Sequence, residues 1–141
     1  GASPKTLANS AGARIADGCE LLFAETDAGH PYVQEEQMMP LVPVISVPDF
    51  ETAVQQAKEA EHGYRHSAII HSTNVSNMTH MGREMDTTIY VKNGPCVAGL
   101  GLGGEGYLSY SVATTTGEGI TTPKTFTRVR RCVMVENLRI V

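Results

Sequence analysis

The sequence has no tryptophan, only three cysteines among 141 residues, and a charged fraction of 18%. The cysteines, Cys19, Cys96 and Cys132, are odd in number and lack C-x-x-C spacing. That argues against a disulfide scaffold and against a structural zinc site, and it suits a reducing, cytoplasmic setting. No apolar run approaches the ~18 residues of a membrane helix, and no charged-then-apolar signal segment is present, so no membrane partner is expected. Basic residues are scarce and dispersed except for Arg128-Val129-Arg130-Arg131, and the net charge is −4. Nucleic acid, which demands a basic footprint, is not an expected partner either. Asn74-Val75-Ser76 and Asn77-Met78-Thr79 spell glycosylation acceptors, a pattern that matters only in a secreted protein.

The length suits one domain able to bury roughly two thirds of its unfolded surface. Ser3 and Pro4 provide an N-cap and a first-turn proline for a short helix that Gly12 stops. Glu20 to Ala24 reads as a strand, and Leu41 to Val47 as the strongest one, with Pro43 removing a ladder donor and marking an edge or a start. Asp49 caps a helix whose apolar stripe is Phe50, Ala53, Val54, Ala57 and Ala60, ended by Gly63. Ser67 to His71 is the next strand. Asn74 then caps a helix with Val75, Met78, Met81 and Met85 on one face, and Thr87 to Val91 follows as a strand. Strand, helix, strand, helix, strand predicts two successive βαβ units, hence an α/β fold with a parallel sheet under covering helices. Residues 131–135 and 138–141 read as two short terminal strands with a basic edge, of the kind that joins a neighbouring sheet. The chain opens Gly1-Ala2-Ser3-Pro4 without an initiator methionine, as expected of a piece of something longer.

Eight of the fourteen glycines fall between Asn93 and Gly119, a stretch without Lys or Arg. Gly101, Gly103 and Gly106 spell G-x-G-x-x-G, but a dinucleotide fingerprint needs a strand before it, a helix after it and an acidic residue about 20 positions on. Tyr107 to Thr116 favours a strand instead. The plainer reading is a connection that lets two elements pack closely.

Glu35-Glu36-Gln37-Met38-Met39-Pro40, followed by a β segment, then Asp49-Phe50-Glu51-Thr52-Ala53 and Glu61-His62-Gly63, resembles a signature of the aldehyde dehydrogenase superfamily. Hydrolytic members carry Phe and Gly where Met38 and Met39 stand. Lys92-Asn93-Gly94-Pro95, the glycine run from Ala98 to Gly106, Thr114 to Gly119 and Thr125 to Val133 are similar, in order and spacing, to the C-terminal third of the CoA-acylating branch of ethanolamine and propanediol utilisation. The resemblance covers nearly the whole chain. It implies an NAD-dependent oxidation of a short-chain aldehyde, acetaldehyde or propionaldehyde, through a cysteine thioester that is passed to coenzyme A. It also implies that this cysteine lies upstream of these residues, so that the chain alone is expected to be silent.

By the same resemblance Glu36 binds the nicotinamide ribose hydroxyls, with a solvated helix charge as the plainer reading, and Met38 packs near the nicotinamide or simply fills a core. His66 is the candidate for moving the CoA thiol proton, against a strand-end histidine held by a backbone carbonyl. Thr115, Thr116 and Gly117 are expected near the acyl or CoA channel, unless they form a simple turn. No metal is expected: His62 and His66 are four apart, but Gly63 separates them. Cys96 has nothing basic nearby in sequence to activate it. The resemblance divides the chain into part of a catalytic α/β domain, residues 1–106, and a glycine/threonine loop with oligomerisation strands, residues 107–141. It implies a homo-oligomer in the cytoplasm or a bacterial microcompartment lumen. The alternatives are a non-catalytic assembly or binding module, and a stand-alone thiol enzyme using Cys96 and His66.

Overall fold

A computed structural model describes residues 2–104, 108–112, 119–133 and 135. Local chemistry starts each of the main helices where the sequence predicts. Helix α1, Pro4–Ser10, opens on Ser3, whose Oγ accepts the Thr6 N–H at 3.2 Å. Helix α3, Phe50–Ala60, opens on Asp49, whose Oδ1 accepts the Thr52 N–H at 2.8 Å. Helix α4, Val75–Met85, opens on Asn74, whose Oδ1 accepts the Asn77 N–H at 3.1 Å. Between α1 and α3 lie strand β1, Leu22–Glu25, the single-turn helix α2, Pro31–Gln34, and strand β2, Leu41–Val44. Strands β3, Ser67–Ile70, and β4, Ile89–Lys92, flank α4.

All strand pairing is parallel, but the strands form two sheets where the sequence predicts one. β1 pairs with β2, Leu22 opposite Leu41, and β3 pairs with β4, Ser67 opposite Ile89. Register explains where the expected sheet parts. Leu22 N–H donates to Pro40 O and Thr26 N–H to Val44 O. The even-numbered residues of β2 therefore bond β1, and Pro43 is turned to the opposite edge, where it has no N–H to offer a further strand.

The core sits under the second sheet. Val54 of α3, Met85 of α4, Ala68 and Ile70 of β3, and Ile89 and Val91 of β4 are buried. Lys58 and Glu84 tie α3 to α4 at 2.8 Å on the surface, and Tyr90 donates its hydroxyl to Met78 O at 2.6 Å. The glycine-rich stretch does allow close packing. It begins as a 3-10 helix, Cys96–Leu100, in which a Cβ on Gly99 would run into the Ile89 side chain. Gly101 and Gly103 have positive φ, but a 3-10 turn precedes them where a dinucleotide fingerprint needs a strand. Gly106 lies outside the described residues.

A second 3-10 turn, Pro123–Phe126, follows an antiparallel bridge between Val112 and Ile120. Among the described residues, 128–133 form no strand, and Val129 is 92% exposed. Residues 138–141 lie outside the described residues. The chain exposes 11129 Å², against about 7,100 Å² for a compact monomer of this mass.

Candidate functional site

The gap between the two sheets is a cleft of about 890 Å³. Its walls are α2 and the segment after it, Tyr32 to Gln37, residues Leu41 to Pro43 of β2, the end of α3 with the following turn, and the start of β3 at His66 and Ser67. Two of the residues singled out in the sequence, Glu36 and His66, line this one cleft from different elements.

Glu36 is exposed, and its carboxylate has no hydrogen-bond partner among the described residues. Both oxygens are therefore available as acceptors, the chemistry a vicinal diol requires. Met38 is 87% exposed and stands outside the cleft lining, so it fills no core in this chain. Thr115, Thr116 and Gly117 lie outside the described residues.

His66 is set by three contacts the sequence does not announce. Its backbone N–H donates to Glu61 Oε1 at 3.1 Å, and its Nδ1 lies 2.9 Å from Ser67 Oγ. Its own carbonyl accepts the Ile89 N–H at 3.0 Å, at the start of the β3–β4 ladder. With Nδ1 engaged, Nε2 is the ring nitrogen without a partner among the described residues. The turn that delivers His66 runs through three positive-φ residues, His62 at 55°, Gly63 at 77° and Arg65 at 54°. α3 therefore ends at Ala60, before Gly63 is reached.

His62 does not join His66 in a ligand pair. Its Nε2 bonds Gln34 O at 2.9 Å instead, and the described residues contain no cluster of His, Cys, Asp or Glu suited to a metal. Cys96 heads its 3-10 helix and is absent from the cleft lining, so it does not meet His66 there. No helix among the described residues is long and apolar enough to cross a membrane.

No family model matches the chain. It is 49% identical over 135 residues to the acetylating acetaldehyde dehydrogenase EutE of Salmonella typhimurium, covering 96% of this chain and 29% of the relative. It is 45% identical over 141 residues to the CoA-propanoylating propanal dehydrogenase of the same organism, covering 99% of this chain and 30% of the relative. Among solved structures it is similar to Rhodopseudomonas palustris propionaldehyde dehydrogenase with bound CoA and an acylated cysteine, at TM-score 0.85 and 45% identity over 94% of this chain and 30% of that one. An engineered glycolyl-CoA reductase with bound NADP+ matches at TM-score 0.86 and 45% identity over 95% of this chain and 30% of that one. A propionaldehyde dehydrogenase from the fucose-utilisation microcompartment of Clostridium phytofermentans matches at TM-score 0.86 and 42% identity, over 95% of this chain and 31% of that one. The chain thus spans about 30% of the length of the relatives it matches.

Proposed function

The chain belongs to the CoA-acylating aldehyde dehydrogenases, and from that membership we propose that the protein carrying it converts a short-chain aldehyde, acetaldehyde or propionaldehyde, to its acyl-CoA. The reaction balances as aldehyde, CoA thiol and oxidised nicotinamide giving thioester, reduced nicotinamide and a proton. One observation carries the reading: Glu36 and His66, thirty positions apart in sequence, line one cleft.

A nicotinamide cofactor supplies, when bound, the hydride acceptor that the oxidation needs. The unpartnered carboxylate of Glu36 suits it, because it can accept from both hydroxyls of a ribose. NAD is the form proposed, and Met38 is assigned to the nicotinamide side of the site on resemblance alone. His66 takes the CoA thiol proton at Nε2, while the Ser67 hydroxyl holds Nδ1. Thr115, Thr116 and Gly117 are assigned to the acyl and CoA channel, also on resemblance alone.

By the family resemblance the cysteine nucleophile belongs to a part of the protein outside this chain, and the chain alone is inactive; that no cysteine among the described residues lines the cleft is in keeping with this reading. Residues 1–106 serve the catalytic domain. Residues 107–141 serve assembly into a homo-oligomer through the terminal strands, in the cytoplasm or a microcompartment lumen. The surface excess supports this over a self-sufficient binding module, which has no reason to leave Phe23 77% exposed.

The test is product analysis with the whole protein, CoA, each aldehyde and NAD+ or NADP+. Acyl-CoA formation with NAD+ preferred is expected, and His66→Gln should slow transfer to CoA while sparing the first reduction of cofactor. No thioester from either aldehyde would overturn the proposal.

A further inference from the structure

We infer that His62 is a positioning residue that holds the segment carrying Glu36 at the mouth of the cleft, an inference that rests on the cofactor role proposed for Glu36. α2 has only four residues, and a single helical turn cannot hold itself in water because nucleation costs more than one turn returns. It must be fastened from outside.

Three fastenings are visible. At the start, His30 Nδ1 accepts the Tyr32 N–H at 3.1 Å, so the neutral His30 ring carries its proton on Nε2. At the end, Gln34 Nε2 reaches back to Ala28 O at 2.7 Å. These two are local, spanning six residues at most. The third is not. The Gln34 carbonyl is one that the end of a helix leaves without an intrahelical partner, and His62 Nε2 donates to it at 2.9 Å from 28 residues away. Among the polar contacts of Tyr32 to Gln37 with described residues, this is the one that ties α2 to the end of α3.

The backbone at His62 supports the same reading. Its φ of 55° is uncommon for a side-chain-bearing residue, and it swings the ring off the helix axis. The ring then lies edge-on to Tyr64, centroids 6.4 Å apart, a second restraint on its orientation. Gln34 O is one peptide unit before Glu36, so losing this bond frees the stretch of backbone that aims the carboxylate. The same turn also delivers His66, so both halves of the site depend on one short stretch of chain.

His62→Gly isolates the bond, since glycine relieves the φ while removing the donor, and His62→Gln restores a donor. Amide hydrogen exchange at residues 35–37 and the nicotinamide and CoA KM values are measured in the whole protein, beside Glu36→Gln. Faster exchange at 35–37 and a nicotinamide KM raised about fivefold, the worth of one hydrogen bond, are expected with the CoA KM unchanged, and His62→Gln should recover part of both. Unchanged exchange overturns the inference whatever the kinetics. Faster exchange with an unchanged nicotinamide KM also overturns it if Glu36→Gln raises that KM. If Glu36→Gln leaves that KM unchanged as well, the cofactor role of Glu36 fails and the inference falls with it.

Discussion

Arg65 and Asp86 both hold left-handed backbone, at φ 54° and 45°, and their side chains close on each other at 2.7 Å. Arg65 is the last residue before His66, and Asp86 ends α4. Arg65 O also accepts the Thr88 N–H at 2.9 Å. The pair thus joins the two turns that lead into β3 and β4 and fixes their register at the end where His66 stands. Half-exposed ion pairs contribute little, ~0–1 kcal/mol, so the backbone should decide what substitution does. Asp86→Gly, which trades the pair for an unstrained turn, is expected to change stability by less than about 1 kcal/mol, and Asp86→Val to cost about 1–2 kcal/mol more. Denaturant unfolding of both variants checks this; a glycine variant weaker than the valine one sinks it.

Gly82 sits inside α4, where alanine normally stabilises by about 1 kcal/mol. Here a Cβ would stand 2.8 Å from Tyr90 Cε1, and the ring cannot swing freely because its hydroxyl is bonded to Met78 O. Gly82→Ala is therefore expected to lower stability by about 1–3 kcal/mol, the usual toll of overpacking. In a Tyr90→Leu background the same change should become neutral or favourable. A double-mutant cycle by thermal unfolding measures the coupling, and an additive result rejects the contact.

Tyr90 also gives the fold an alkaline limit. Burial pushes its phenol above the ordinary value of 10.0, so at high pH the unfolded chain gives up this proton before the folded one does. The folded-state pKa is the higher of the two. The contribution is therefore complete below about pH 10 and is lost as pH rises through the folded value. Unfolding titrations should show stability falling above pH 10 more steeply in the parent than in Tyr90→Phe, and parallel curves would exclude the buried phenol as the cause.

The features legible in the sequence are those that local chemistry decides. Ser3, Asp49 and Asn74 cap their helices because a short oxygen-bearing side chain before an apolar stripe satisfies an orphan N–H three residues on. α2 was not legible, since its N-cap is a histidine ring nitrogen and its last carbonyl is bonded by His62 from the far end of another helix. The division into two sheets was hidden for a similar reason. Pro43 announces a missing donor, but only the register with β1 tells which edge lacks it. The cleft follows from that division, so the sequence could name Glu36 and His66 without showing that they share a wall.

Glu35 and Glu36 are neighbours of identical chemistry, and both line the cleft. The backbone separates them. Glu35 is extended, at φ −117° and ψ 138°, and an extended backbone sends successive side chains to opposite sides, so a ligand approaching from one side meets one carboxylate. The main chain at Glu35 is already engaged, its N–H with Pro31 O and its carbonyl with Gln37 Nε2, which suits a residue that anchors the turn while its successor binds. Glu36→Gln is expected to raise the nicotinamide KM about tenfold or more, the worth of a hydrogen bond to a charged acceptor, and Glu35→Gln to change it less than about twofold. Equal effects from the two would mean that the cofactor responds to the summed negative charge of the segment, and added salt would then erase both losses together.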